Sequence, residues 1–535
     1  MITGLPAILP PLRTTMQSPK HAVPGLRTAQ KLPDCSVRKR SILCVFRGRI
    51  PVMLLAAILA GGCARNPAAK VLASATEAVG GKDKIMALGT LTVEGEGTNP
   101  SLGQNLTPEA PLTVWKVTGF TESFDPEKGR MHMEQVRTAQ FPFAMATTIR
   151  DNRSLDGDIA WDTDQDGNAT RTTQRVALER RMELLHHPIA ILRAAFDPTA
   201  KVGNYRKRGL DELIDVTTVN GDTVTLAVAT DTHLPISVTS HADQPNLGDV
   251  SIETKFLDYQ DQGGLKLPTH LVSTIDKWVR SDIRVSKNSI NAPVNLAAPA
   301  PMRAALAAPA DPPVSVTVQL VSPGVWWLNG DGNHHSVVIE FSDHLTLFEV
   351  PTSESRAKAV IEKARSLAFG KPLTDVIVSH HHFDHSAGLR TAAAEGLAII
   401  TQRGNLAFFK DLIARPHTIV PDELAMALSP PPMQIKVVDD EVKIKDDARE
   451  LDLYHVKNNN HCDTLLMGWL PNERILIQAD LYDSGWQRFP WADNLRENIE
   501  LRGLKPEKDV PIHGKIEDWA DVLKTMSAKP AAAEK

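Results

Sequence analysis

Between Lys84 and Asp276 apolar and polar residues alternate in short runs. Examples are "KIMALGTLTVEGEGT", "RMHMEQVRTA", "DTVTLAVAT", "LPISVTSH", "DVSIETKFLDYQ" and "LKLPTHLVSTID". They are rich in Val, Thr and Ile and separated by Gly, Asp and Asn, the pattern of half-buried strands. Two stretches leave this period. "AAKVLASATEAVGG" predicts a helix stopped at Gly80-Gly81, and "QRVALERRMELLHHPIAILRAA" predicts a second, continuous one. The expectation is a curved antiparallel sheet with one or two helices. From about Val314 the pattern changes. "SVTVQLVSPGVWWLNG", "HSVVIEFS" and "HLTLFEV" read as strands, "SESRAKAVIEKARSLA" as a helix with a capping-box start, and "LTDVIVSH" as a buried strand. Strands alternating with helices predict an α/β layered domain.

"NAPVNLAAPAPMRAALAAPADPP", residues 291–313, has almost no periodicity and reads as an Ala/Pro linker. The expected organisation is therefore a leader over 1–62, a β-rich domain over 63–290, the linker, an α/β domain over 314–527 and a tail over 528–535.

Charge alters the reading of the leader. The chain of 535 residues carries −5 overall, yet residues 1–62 hold nine Lys/Arg and one acid, leaving −13 on the remainder. A basic leader on an acidic body is the signature of a targeting segment, and the balance gives no sign of a nucleic-acid partner. "IPVMLLAAILAGGCA" follows the basic run "VRKRSILCVFRGR" and is too short to cross a bilayer as a helix. Its end, "LAGGC", resembles the lipobox of bacterial lipoproteins, which implies lipidation at Cys63. That places the mature chain in the bacterial cell envelope, on the periplasmic side, tethered to the membrane. The signal lies deep, so initiation near Val37 is expected. Cys35 and Cys44 would leave with the leader and Cys63 would carry lipid, so Cys462 alone would remain and no intramolecular disulfide is expected.

In the β-rich part, "GDIAWD" and "FLDYQDQGGLKLPTHL" resemble half-barrel domains of the lipoprotein-carrier type. His186 and His187, before Pro188, have no acidic partners in the pattern, and a surface or capping role is expected.

The densest chemistry is "SHHHFDHSAG", Ser379–Gly388. His380, His382, Asp384 and His385 form H-x-H-x-D-H directly after an apolar strand. In an extended segment alternate side chains face the same way, so His380 and His382 can meet on one metal while His381 faces elsewhere. After a turn, Asp384 and His385 can serve a second metal. Imidazole and carboxylate ligands suit zinc.

This pattern resembles the metallo-β-lactamase superfamily, and the resemblance extends from Val314 to about Ala520. "NNNHCDTLLMGWLP" supplies His461, "RILIQAD" ends in Asp480, and "KDVPIHG" supplies His513. The resemblance implies an αββα sandwich. It also implies one metal on His380, His382 and His461, a second on Asp384, His385 and His513, and Asp480 shared between them. Glu349 in "TLFEVP" stands where the family carries an aspartate, and would support a ligand or a loop amide. His334 and His335 in "GNHHSVVIEF" are candidates for substrate contact. Cys462 has no paired base in the pattern and is not expected to be a nucleophile.

The implied function is a dinuclear zinc hydrolase of an ester, lactone, thioester or amide small molecule, with a metal-bound hydroxide as nucleophile and Asp384 orienting it. Two alternatives stand beside it. One is a mononuclear iron oxygenase acting on a sulfur compound, against which the intact Asp384, His385 and His513 argue. The other is a non-catalytic envelope lipoprotein that binds a lipid or a partner.

Overall fold

The N-terminal part is one antiparallel sheet of 13 strands. The chain meanders outward from Leu91–Ser101 to an edge at Ala169–Arg171. It re-enters at the opposite edge, Lys201–Arg208, and meanders inward to Trp278–Ile290, which pairs with Leu91–Ser101 and closes the two halves into one sheet. Helices Pro67–Val79, Gln174–Leu184 and Pro188–Ala194 cover one face. Val71, Leu72, Ala75, Ile189 and Ile191 pack there on Val93, Phe124, Leu226 and Leu267. The computed structural model of the chain describes residues 66–527, apart from 142–146, 311, 313, 331 and 484–490. Cys63, the leader and the tail lie outside the described residues.

Two helix expectations change. "KIMALGTLTVEGEGT" opens with a helical turn, Lys82–Ala87, before its strand begins at Leu91. The stretch 174–195 is two helices, because Pro188 disfavours helical backbone at the residue before it. His187 accordingly has φ −131 and ψ 138. His187 then caps the second helix, its Nδ1 accepting from Ile189 N–H at 3.3 Å. The surface reading of this histidine pair is corrected: both rings are buried, and His186 bonds Thr254 and Ser240 at 2.9 Å each.

The C-terminal part is a sandwich of a seven-stranded and a six-stranded sheet. Its central strands are apolar on both faces, and the alternation sorts their side chains. Val337, Ile339, Phe348, Ile377 and Ile400 face Leu453, Ile475, Ile477 and Val510 of the second sheet. Their neighbours Val338, Leu347, Val376 and Ile399 face Val360, Ile361, Ala392 and Phe409 in the helical layer. On the far side Met467, Trp469 and Leu476 meet Leu495, Ile499 and Val522 of helices Ala492–Leu501 and Trp519–Ser527. The layering is helix, sheet, sheet, helix.

Residues 291–310 do not hang free. Leu296, Ala298 and Met302 are buried, and Ala298 and Met302 pack on Trp161. The two parts form a single compact unit. Leu247, Val250 and Ile275 of the large sheet join the helical-layer core of the sandwich.

Candidate metal centre

The strand Leu373–Ile377 delivers the histidine run to the sandwich edge in extended form, and a short helix, Phe383–Ser386, turns it back. His380 and His382 end side by side, ring centroids 4.4 Å apart. His381 points away, its Nδ1 3.2 Å from Thr464 Oγ1 and 3.6 Å from Cys462 Sγ. His461 and Asp480 arrive from loops flanking the second sheet, and His513 from the end of Lys508–Pro511.

The residues fall into two groups. His380, His382, His461 and Asp480 each bring a ligand atom within 4.8 Å of the others, and so do Asp384, His385, Asp480 and His513. Asp480 joins them. Its Oδ2 lies 2.9 Å from His461 Nε2, 3.0 Å from His385 Nε2 and 3.3 Å from His380 Nε2, and its Oδ1 lies 2.9 Å from His513 Nε2. A third group, His381, His382 and Cys462, lies beside them. Burial pushes the Cys462 thiol up to about 12, so the sulfur stays protonated despite the nearby imidazole.

The ring nitrogens divide their labour. His380 Nδ1 bonds Ser379 Oγ at 2.9 Å, leaving Nε2 towards the group. His382 does the reverse, with Nε2 on the carbonyl of Asn105 at 3.0 Å. His513 Nδ1 donates to the carbonyl of Asn333 at 2.7 Å. His380 Nε2 and His382 Nδ1 are buried without a hydrogen-bond partner. Orphaned nitrogens that converge beside a carboxylate fit a metal ion.

Electrostatics agree. Burial pushes His380 down to about 3 and His382 well below its ordinary value, so both are neutral and carry a lone pair. Burial acts the same way on His385, but the carboxylates of Asp480, Asp384 and Glu349 outweigh it and hold that imidazole well above its ordinary value. Burial opposes ionisation of Asp480, yet His385 and His513 hold its carboxyl well below the usual range. Three carboxylates, Asp480, Asp384 and Glu349, thus concentrate negative charge on this histidine group.

Glu349 is fully buried. Its Oε1 accepts from Ser379 N–H at 2.9 Å, and its Oε2 stands 3.6 Å from His385 Nδ1. His334 lies at the rim, Nε2 3.3 Å from Asp384 Oδ2, whereas His335 is buried with its ring 4.1 Å from that of Trp327. The pair therefore splits, and only His334 borders the site.

Several neighbours have no signature in the histidine pattern. Trp491 stacks on His461, ring centroids 4.9 Å apart, and Asn459 Oδ1 accepts from the backbone N–H groups of His461 and Cys462. Gln104 Nε2 donates to Asp384 Oδ1 at 3.0 Å. Gln104 and Asn105 come from the connection between strands Leu91–Ser101 and Thr113–Asp125 of the N-terminal sheet.

Residues 329–513 match the protein-family model described as Metallo-beta-lactamase superfamily. No curated protein matches the sequence. Among solved structures, a metallo-β-lactamase from Pontibacter korlensis is 15% identical, with 40% of this chain and 98% of that chain covered and a TM-score of 0.32. The metallo-β-lactamase FIM-1 from Pseudomonas aeruginosa, in its mono-zinc form, is 15% identical over 41% and 95%, with a TM-score of 0.32. One from Hirschia baltica is 15% identical over 39% and 96%, with a TM-score of 0.31. The chain thus carries a C-terminal domain of metallo-β-lactamase type behind a large antiparallel β-sheet domain.

Proposed function

We propose that this protein is a metal-dependent hydrolase that holds two zinc ions, one on His380, His382 and His461 and one on Asp384, His385 and His513, with Asp480 common to both. The observation that carries the reading is the Asp480 carboxylate, which reaches both ligand groups: Oδ2 lies 2.9 Å from His461 Nε2 and 3.0 Å from His385 Nε2, and Oδ1 lies 2.9 Å from His513 Nε2. Zinc in such a site supplies a Lewis acid and an acidified water. The protein's own part is to hold the ligands and manage a proton. Asp384, partly exposed and 3.3 Å from His334, is placed to accept a proton and pass it to that rim histidine. The substrate we infer is a small ester, lactone, thioester or amide.

We further infer that the leader directs export and that lipid on Cys63 tethers the enzyme to the periplasmic face of a bacterial membrane. Mass spectrometry of the cellular protein tests this, and a mature N-terminus other than a lipid-modified Cys63 would end it.

For the centre, the test is metal content of the purified chain beside His382→Ala and Asp480→Ala. The expected result is about two zinc per chain, falling in both variants. One iron per chain would move the assignment to the oxygenase. A chain that takes up no metal would reject catalysis at this centre.

A further inference from the structure

The connection between the first two strands of the large sheet, residues 102–112, leaves its own domain and enters the candidate metal centre. Gly103 meets Phe383 so closely that a Cβ there would lie 2.4 Å from the ring, and its carbonyl accepts from Phe383 N–H at 3.3 Å. The carbonyl of Leu106 accepts from Asp463 N–H at 2.8 Å. These main-chain contacts dock the loop. Two others are of a different kind, because they end on residues of the ligand groups.

The first is the Asn105 carbonyl against His382 Nε2, at 3.0 Å. A carbonyl only accepts, so Nε2 must carry the proton. In a neutral imidazole the lone pair is then on Nδ1, the nitrogen that is buried without a hydrogen-bond partner, and His382 is a residue of the first ligand group. The loop thereby selects the tautomer that can bind metal. The second is the Gln104 amide on Asp384 Oδ1 at 3.0 Å, which leaves Oδ2 turned towards His334, His385 and His513. One loop thus fixes one residue of each group.

The loop is built to hold that aim. The buried Asn105 Nδ2 lies 2.6 Å from the Thr107 carbonyl, 3.1 Å from that of Pro108 and 3.2 Å from that of Ala110. A single amide so gathers three main-chain acceptors and stiffens a segment with no helix or strand of its own.

We propose that Gln104 and Asn105 are positioning residues of the metal centre, supplied by the β-sheet domain, so that the sandwich alone does not hold a complete site. The proposal rests on the metal-centre reading above.

The test uses the full-length chain, stripped of metal and titrated with cobalt(II) and zinc against a chromophoric chelator. Variants are Asn105→Ala, which releases the clamp, and Gln104→Met, which keeps length and loses the donor. Gln104 is half-buried, so its replacement leaves the folded loop in place even if Asn105→Ala does not fold. The expected result is a loss of about tenfold or more in the affinity of one metal per variant, with a changed visible spectrum of bound cobalt. Asn105→Asp, which turns an oxygen towards the three carbonyls, should match Asn105→Ala. Unchanged affinities and spectra in Gln104→Met and Asn105→Ala, whatever their melting temperatures, would overturn the positioning role and leave the metal centre standing. A wild-type chain that takes up neither cobalt nor zinc would overturn the metal centre and this proposal with it.

Discussion

Glu349 occupies left-handed backbone, φ +73, as does Asp480 at φ +56. Side chains other than glycine and asparagine are uncommon there, and such outliers gather at functional sites. At Glu349 the conformation turns a fully buried carboxylate under His385 while its second oxygen accepts the Ser379 N–H. Its side chain thus reaches both the Ser379 loop amide and His385. Glu349→Gln keeps the shape and removes the charge. Zinc affinity of the group containing His385 should fall by about tenfold in chelator competition. An unchanged affinity would show that the carboxylate serves the loop alone. Asp509 is a different buried acid. Beside Gln478 Nε2 at 3.2 Å, burial pushes its carboxyl up to about 8 from an ordinary 3.8. Between those values the unfolded chain has lost a proton that the native chain keeps. The stability held by the neutral carboxyl is complete below the ordinary value, declines as pH rises, and is gone above about 8. Asp509→Asn should therefore raise the melting temperature more at pH 8 than at pH 5, and an equal shift at both would refute the neutral form.

At the scale of elements, the strands of both domains were readable because burial on one face imposes a period of two, whereas burial on both leaves a short continuous apolar run. The metal run was readable for a related reason: alternate residues of an extended segment share a side, so His380 and His382 converge while His381 leaves. The helix break at Pro188 had its cause in plain view, and the continuous apolar pattern on either side concealed it. The loop over 102–112 was not readable. Its contact with His382 is made by a backbone carbonyl, which every residue possesses, and it spans 277 positions. A lone Gln among Gly, Pro and Asn looks like any turn. The docking of this loop has a sharp steric condition at Gly103, where φ is +75 and a Cβ would enter the Phe383 ring. Gly103→Ala should cost about 1–3 kcal/mol in urea unfolding. A neutral result would mean that the loop docks less tightly than its contacts indicate.

On the scale of the whole molecule, the two domains share more than the loop. Arg415, at the end of helix Leu406–Ala414, pairs with Asp276 and bonds the Leu247 carbonyl, both in hairpin turns of the large sheet. Asp249 of that sheet accepts from Thr418 N–H and Ile419 N–H at 2.8 and 3.0 Å. Arg415→Ala removes a charged donor from a half-buried acceptor set and should destabilise the chain by about 2 kcal/mol. If unfolding of the two domains then separates into two transitions, this arginine is a principal tie between them. A single transition at the wild-type midpoint would show the tie to be redundant.

The first part of the centre to be synthesised is Gln104, and its partner Asp384 follows 280 residues later. Domains generally fold in the order in which they emerge. The large sheet can therefore form, with its loop extended, well before the histidines that the loop will meet. His513 comes last, close to the C-terminus. A chain halted anywhere short of it lacks one of the proposed ligands, and a chain whose sheet misfolds lacks the carbonyl that faces His382 Nε2. On the metal-centre reading proposed above, high-affinity metal uptake is a proofreading step, since only a finished molecule would capture and keep its ions. Metal retention can be used as an assay of complete assembly, independent of any substrate.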